Sequence, residues 1–128
     1  MLLDTHALVW AMLTPDHLSA RAREALAGST ERIVSAASLY EITYKARLGK
    51  WPEVEGLLRV DLDARLRADD LEVAPATGTI MERAGRFDWT HRDPFDRIIV
   101  ATAQVRGLKL VSKDDTLDGV PDGIERIW

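Results

Sequence analysis

Acidic side chains stand at five points where they could hold a divalent cation and act on a phosphate ester. Asp4 follows Met1-Leu2-Leu3, and Glu41 ends Ser38-Leu39-Tyr40-Glu41. Asp93 and Asp96 lie in His91-Arg92-Asp93-Pro94-Phe95-Asp96-Arg97, and Asp114 follows Leu110-Val111-Ser112-Lys113. Carboxylate oxygens are the ligands of hard cations. With no cysteine in the chain and no paired histidines at metal spacing, the set suits Mg²⁺ or Mn²⁺ rather than zinc. One or two such ions with water and a phosphate oxygen form a site for phosphoryl transfer or phosphodiester hydrolysis, with water activated by the metal. No serine, cysteine or histidine nucleophile stands in a credible triad.

Each acid also has a local alternative. Asp93 can be the N-cap of a helix with Pro94 at its first position, where the missing N–H costs nothing. Asp96 then sits in the first turn, where the dipole favours an anion. Glu41 can close a capping box on Ser38, and Thr5 or Asp4 can cap the segment Ala7–Leu13, although Thr5 could also orient Asp4 or a metal-bound water. Capping accounts for these residues one at a time. It accounts poorly for Asp4 and Asp114, on which no strong helix pattern hangs.

The elements that must position these acids can be read from periodicity and punctuation. Met1–Leu3 is the end of a buried strand, and Ala7–Leu13 has helical spacing up to the break at Thr14-Pro15-Asp16. Ser19 caps a helix through Ala27, with Gly28 as its stop. Glu31–Ser35 is a short strand, followed by a helix from about Ala37 to Leu48 closed by Gly49. After Trp51-Pro52, the stripe Val54, Leu57, Leu58, Leu62 and Leu66 predicts one amphipathic helix over Val54–Ala68. Leu71–Val73 is a strand ended by Pro75, and Thr77 caps a helix through Phe87. Phe95, Ile98, Ile99, Thr102 and Val105 mark a buried helix that stops at Gly107. Leu108–Ser112 is a strand, Lys113–Thr116 a turn or helix start, and Ile124–Trp128 a last strand.

This order predicts an α/β fold, a three-layer α/β/α sandwich on a mainly parallel sheet of 4–5 strands, expected to form a single domain over residues 1–128. Ligands of such sheets bind beyond the carboxyl ends of the strands, where helix N-termini also point. Asp4, Glu41, Asp96 and Asp114 all map to that edge. Four carboxylates gathered there repel one another unless a cation relieves them.

Bulk properties narrow the class. A chain of 128 residues with 46% hydrophobic and 30% charged residues can bury a core and is not a disordered tail. A net charge of −4 argues against holding nucleic acid by bulk positive charge, but not against a nuclease whose acidic centre is neutralised by metal. The absence of cysteine fits a reducing cytoplasm. No apolar run approaches a membrane span, and the opening residues read as neither a signal nor a transit peptide.

Around the acids, Arg97, Lys45, Arg92 and Lys113 are candidate phosphate-binding cations, although Lys45 lies four residues after Glu41 and also reads as its helix-surface partner. His6 and His91 are lone histidines beside the expected site. The tryptophans at 10, 51, 89 and 128 read as core or interface residues. A phospho-receiver-like signalling domain has similar size and order, but it needs an adjacent acid pair after the first strand, where only Asp4 stands. A catalytically silent binding module is the other alternative.

The motifs Leu2-Leu3-Asp4-Thr5-His6-Ala7-Leu8-Val9-Trp10, Ser35-Ala36-Ala37-Ser38-Leu39-Tyr40-Glu41-Ile42, Lys45-Ala46-Arg47-Leu48-Gly49-Lys50, His91-Arg92-Asp93-Pro94-Phe95-Asp96-Arg97 and Leu110-Val111-Ser112-Lys113-Asp114 resemble, in order and spacing, those of PIN-domain ribonucleases of the VapC toxin type. That resemblance implies a Mg²⁺- or Mn²⁺-dependent endoribonuclease acting on RNA. It implies Asp4, Glu41 and Asp96 as metal ligands, Asp114 as a fourth, and Asp93 as a cap or supporting residue. It also implies a homodimer silenced by a cognate antitoxin, in some cases as a larger toxin–antitoxin assembly. Two pieces depart from the pattern: Ala76-Thr77-Gly78-Thr79-Ile80-Met81 replaces a common Ile-Thr-x-x-His-Ala, and Ser112 stands where threonine is common.

Overall fold

The computed structural model describes residues 1–128. Five parallel strands, β1 (Leu2–Leu3), β2 (Arg32–Ser35), β3 (Leu71–Ala74), β4 (Leu110–Val111) and β5 (Arg126–Ile127), form one sheet in the order β3-β2-β1-β4-β5. Their register sets Leu2 beside Ile33 and Leu110, and Leu3 beside Val34 and Val111. Successive side chains on a strand point to opposite faces. Leu2, Ile33 and Leu110 therefore join one core cluster, and Leu3, Val34 and Val111 the other.

Six helices cover these two faces. On the Leu3 face lie α1 (Thr5–Leu13), α2 (Ala20–Ala27), α3 (Ala36–Arg47) and α4 (Leu62–Ala68), contributing Leu8, Ala22, Ile42 and Leu66 to the core. On the Leu2 face lies α6 (Pro94–Arg106), whose Ile99, Val100 and Ala103 pack on the sheet. Outside it, α5 (Gly78–Arg86) packs Ile80 and Ala84 against Ala101 of α6. The expected three-layer sandwich is thus formed, with a sheet that is wholly parallel.

One expected element is divided. The stripe over Val54–Ala68 is a 3₁₀ segment, Pro52–Arg59, then an extended Val60 and the separate helix α4 capped by Asp61. Val54, Leu57, Leu62 and Leu66 are all buried as the stripe requires. The break falls at Val60, whose extended backbone ends the 3₁₀ segment, and at Asp61, whose side chain accepts from the Ala64 N–H and starts a new helix.

The start of α6 follows the sequence reading. Asp93 caps it, accepting from the Phe95 N–H at 2.8 Å and the Asp96 N–H at 3.4 Å, with Pro94 in the first turn. Gly107 ends it at φ +63°, a left-handed conformation that glycine adopts without a Cβ penalty.

Candidate active site

At the carboxyl edge of the sheet, a cleft of about 410 Å³ is lined by Asp4, His6, Trp10, Glu41, Lys45, Asp93, Asp96, Lys113 and Asp114. The four acids expected to converge do so, and Asp93 joins them. Each arrives by a different element. Asp4 ends β1 and caps α1, accepting from the Ala7 N–H at 2.6 Å. Asp96 stands in the first turn of α6. Asp114 follows β4 and caps the 3₁₀ turn Asp115–Gly119 through the Thr116 N–H at 2.9 Å. Of the two candidate caps of the first helix, Asp4 is the one used, and Asp114 caps a 3₁₀ turn on which no strong helix pattern hangs in sequence. Capping operates together with their place on the cleft wall.

Glu41 departs from the sequence reading in its local role. The N-cap of α3 is Ser35, whose Oγ accepts from the Ala37 N–H at 3.2 Å. No capping box forms at Ser38, so Glu41 lies in the second turn and its carboxylate is free of backbone duty. It is almost fully buried and ion-paired with Lys45 one turn on. The helix-surface pairing expected from their spacing thus occurs, but in the cleft.

Ser38 has a different task. Its Oγ accepts from the Thr5 Oγ at 3.1 Å, both residues being buried. Thr5 is neither a cap nor a cleft residue: it ties α1 to α3 and so sets Asp4 against Glu41. Ser35 and Thr102 make a similar buried contact at 3.4 Å between α3's cap and α6.

The electrostatics reflect crowding. Burial pushes the Asp4 carboxyl up from 3.8 to about 6. The Ala7 N–H and His6 oppose the rise, and Asp96 adds to it. Asp96 is also raised, mainly by burial and further by Asp93 and Glu41, while its bond to His91 pulls it down. Five carboxylates facing only Lys45 and Lys113 make an all-oxygen donor set with excess negative charge, which fits a hard divalent cation.

In sequence His91 reads only as a lone histidine beside the expected site, yet it supports a cleft carboxylate directly. Its Nε2 lies 2.8 Å from Asp96 Oδ2 and its Nδ1 3.4 Å from Thr116 Oγ, which in turn donates to Asp114 Oδ1 at 2.7 Å. Trp89 stacks on the imidazole with centroids 4.6 Å apart. His91, Asp96 and Asp114 present ligand atoms within 4.8 Å of one another. The available signal was the Asp93-Pro94 turn, which folds His91 back over the first turn of α6.

Arg97 corrects an expectation. Its guanidinium donates to four backbone carbonyls, of Ala84, Phe87, Trp89 and His91, at 2.6–3.2 Å. It holds the α5–α6 connection, and with it His91, instead of facing the cleft to bind phosphate. Replacing Arg97 with alanine strands these carbonyls and is expected to lower unfolding free energy by about 2–4 kcal/mol in chemical denaturation. Arg97→Lys, with a single ammonium in place of the fork, should recover less than half of that loss. A variant as stable as the wild type would show that water replaces the guanidinium freely. Lys113 remains exposed on the cleft rim, as does Arg92 nearby.

The family model described as PIN domain matches residues 1–123. Ribonuclease VapC22 of Mycobacterium tuberculosis is 29% identical over 118 residues, spanning 91% of this chain and 88% of that protein. Among solved structures, VapBC2 from Rickettsia felis, bound to a DNA fragment from its promoter, superposes with a TM-score of 0.66 at 19% identity, covering 99% of this chain and 98% of that one. VapC20 of Mycobacterium tuberculosis, described as a sarcin-ricin loop cleaving toxin, gives a TM-score of 0.56 at 19% identity, covering 90% and 91%. These structural likenesses extend the match of fold across nearly the whole chain.

Proposed function

The chain belongs to the PIN-domain family, and from that premise we propose that it is an endoribonuclease, the toxin of a toxin–antitoxin pair, that hydrolyses RNA phosphodiester bonds with the help of Mg²⁺ or Mn²⁺. The observation that carries this reading is the convergence of Asp4, Glu41, Asp96 and Asp114 on one cleft from four separate elements. A phospho-receiver reading has no comparable support: Asp4 has no adjacent acidic partner, and Asp61 and Asp63 belong to α4 and its cap, away from the cleft.

In this reading Asp4, Glu41, Asp96 and Asp114 hold the metal, with Asp93 supporting the start of α6. A divalent cation held there supplies charge for the phosphate and activation of water. The chain's own groups do the rest. His91 fixes the rotation of the Asp96 carboxylate, Thr116 does so for Asp114, and Thr5 sets the spacing of the first two acids through Ser38. Lys113 and Lys45 offer positive charge to an incoming phosphate at the cleft rim.

Residues 1–128 act as one unit in this proposal. A cognate antitoxin partner is supported by the toxin–antitoxin complexes among the structural neighbours. Homodimerisation is supported by large apolar side chains left exposed on α3 and α5, namely Tyr40, Tyr44 and Met81. No helix is long and apolar enough to cross a membrane, and action in the cytoplasm is part of the proposal.

The test is cleavage of total RNA by the purified protein, free of antitoxin, with Mg²⁺, with Mn²⁺ and with EDTA. Fragments are expected with metal and none with EDTA. Undiminished cleavage in EDTA would remove the metal from the reading, and failure both to cleave RNA and to bind Mn²⁺ by calorimetry would favour a silent binding module.

A further inference from the structure

Asp96 and Asp114 meet a histidine whose bonding does more than hold a carboxylate in place. His91 Nε2 lies 2.8 Å from Asp96 Oδ2, and its Nδ1 lies 3.4 Å from Thr116 Oγ. Thr116 commits its hydroxyl proton to Asp114 Oδ1, at 2.7 Å. Toward His91 that oxygen can therefore only accept, which places a ring proton on Nδ1. Nε2 then turns to a carboxylate oxygen that is itself an acceptor. Two acceptors this close are held together only by a positive species between them: a proton in the metal-free protein, or a cation that takes the proton's place.

The spacing suits a cation. Bonds of about 2.1 Å in an octahedral shell set neighbouring ligand atoms about 3 Å apart, and His91, Asp96 and Asp114 offer ligand atoms all within 4.8 Å of one another. The far side of the ring suits one too. A metal-ligating histidine donates its other N–H to a supporting acceptor, which fixes tautomer and orientation. Thr116 is such an acceptor, and it orients Asp114 at the same time. Trp89 stacks on the ring with centroids 4.6 Å apart, and Arg97 donates to the His91 carbonyl at 2.9 Å, so the imidazole is held from three directions. His6 lines the cleft as well, but it is exposed and has no hydrogen bond to fix its ring.

We propose that His91 is a nitrogen ligand of the cation held by Asp96 and Asp114, and that it makes the site select a transition-metal ion such as Mn²⁺ over Mg²⁺. The inference rests on the metal-dependent ribonuclease reading and deepens it, by assigning the choice between the two ions to one residue. Magnesium demands oxygen ligands and dehydrates reluctantly, whereas first-row transition ions accept imidazole. Carboxylates bind both ions, so the selectivity added by a nitrogen belongs to His91.

The experiment loads metal-free protein, carrying no histidine tag, with Mn²⁺ below saturation. Pulsed electron paramagnetic resonance then detects the nitrogen nucleus of a coordinated imidazole. That modulation is expected in the wild type and in His6→Gln, and is expected to vanish in His91→Gln. Glutamine can keep an N–H donor on Asp96 but offers no nitrogen lone pair, so it separates ligation from positioning. By calorimetry, His91→Gln should weaken Mn²⁺ binding by at least about 10-fold, the lower end of what losing a supporting partner of a metal ligand costs, and leave Mg²⁺ binding nearly unchanged.

Absence of the nitrogen modulation in Mn²⁺-loaded wild type overturns the proposal, and this spectrum decides even if the His91 variant does not fold. Loss of the modulation in His6→Gln instead also overturns it. So does equal weakening of Mn²⁺ and Mg²⁺ in His91→Gln, the result of a residue that only positions Asp96. If the wild type cleaves RNA and shows no modulation, the nitrogen ligand alone falls. If the modulation is present and no RNA is cut, the ligand stands and the ribonuclease reading falls. A wild type that binds no Mn²⁺ removes both.

Discussion

Asp96→Asn is expected to reduce RNA cleavage by about 10³-fold or more, on the scale of removing a principal electrostatic group from an active site, with no loss of thermal stability. The substitution is nearly isosteric, and the helix start does not depend on it, because Asp93 supplies the cap of α6. What changes is charge. Asp96 is held above its usual carboxylate range by burial and by the neighbouring Asp93 and Glu41. Removing its negative charge therefore relieves the metal-free fold while depriving the site of an oxygen anion that a hard cation needs. Cleavage rates and thermal melts on the same preparation measure both. A variant that cuts RNA at the wild-type rate would take Asp96 out of the reaction. One that unfolds early would make its role structural.

Asp4→Asn should show an opposition between stability and activity. The folded pKa of Asp4, about 6, lies above its ordinary 3.8, so well below pH 3.8 both the folded and unfolded states are protonated at this residue. As pH rises from about 4 to 6, the unfolded chain gives up the proton first, and stability contributed by Asp4 is lost through that window. At neutral pH without metal, the buried carboxylate is thus a cost. Asparagine removes the charge and, being a good N-cap, can still accept from the Ala7 N–H. The variant is expected to melt higher than the wild type in EDTA at pH 7, to converge with it as pH falls below 3.8, and to cleave no RNA. Its expression without antitoxin should be harmless where the wild type slows growth. The same linkage predicts that metal affinity of the wild type weakens as pH falls through about 6, since the ligand must be ionised. A lower melting point for the asparagine variant at pH 7 would refute the account of Asp4, and equal toxicity of the two proteins would show that the growth effect is not catalytic.

Much of this was legible in the sequence where local chemistry and global placement agree. Asp93-Pro94 announced the start of α6 and Gly107 its end. Short apolar strands alternating with helices announced a parallel sheet, and the carboxyl edge of that sheet located the acids. What escaped depends on partners remote in sequence or on spacing with two solutions. The Val54–Leu66 stripe is equally apolar in one helix or in a 3₁₀ turn followed by another. Ser38 and Ser35 both carry a hydroxyl; α3 starts at Ala36 directly after β2, so Ser35 caps it and Ser38 lies inside the helix bonded to Thr5. Arg97 looks like a phosphate ligand until the carbonyls of the α5–α6 connection are seen converging on it. Free and satisfied histidines cannot be distinguished without the fold, which is why His6 and His91, alike in sequence, have opposite surroundings.

The register that sets Leu2 between Ile33 and Leu110 has a bearing on how the protein is made. Asp4 is synthesised well before the strand that brings Asp114 beside it. Parallel pairing over that separation cannot form from a local hairpin and waits for the intervening chain. A nascent chain therefore carries the acids in sequence but not in space, and the cleft closes only after β4 has been released. Any chemistry that needs the four acids together is thereby confined to a chain whose β4 has joined the sheet.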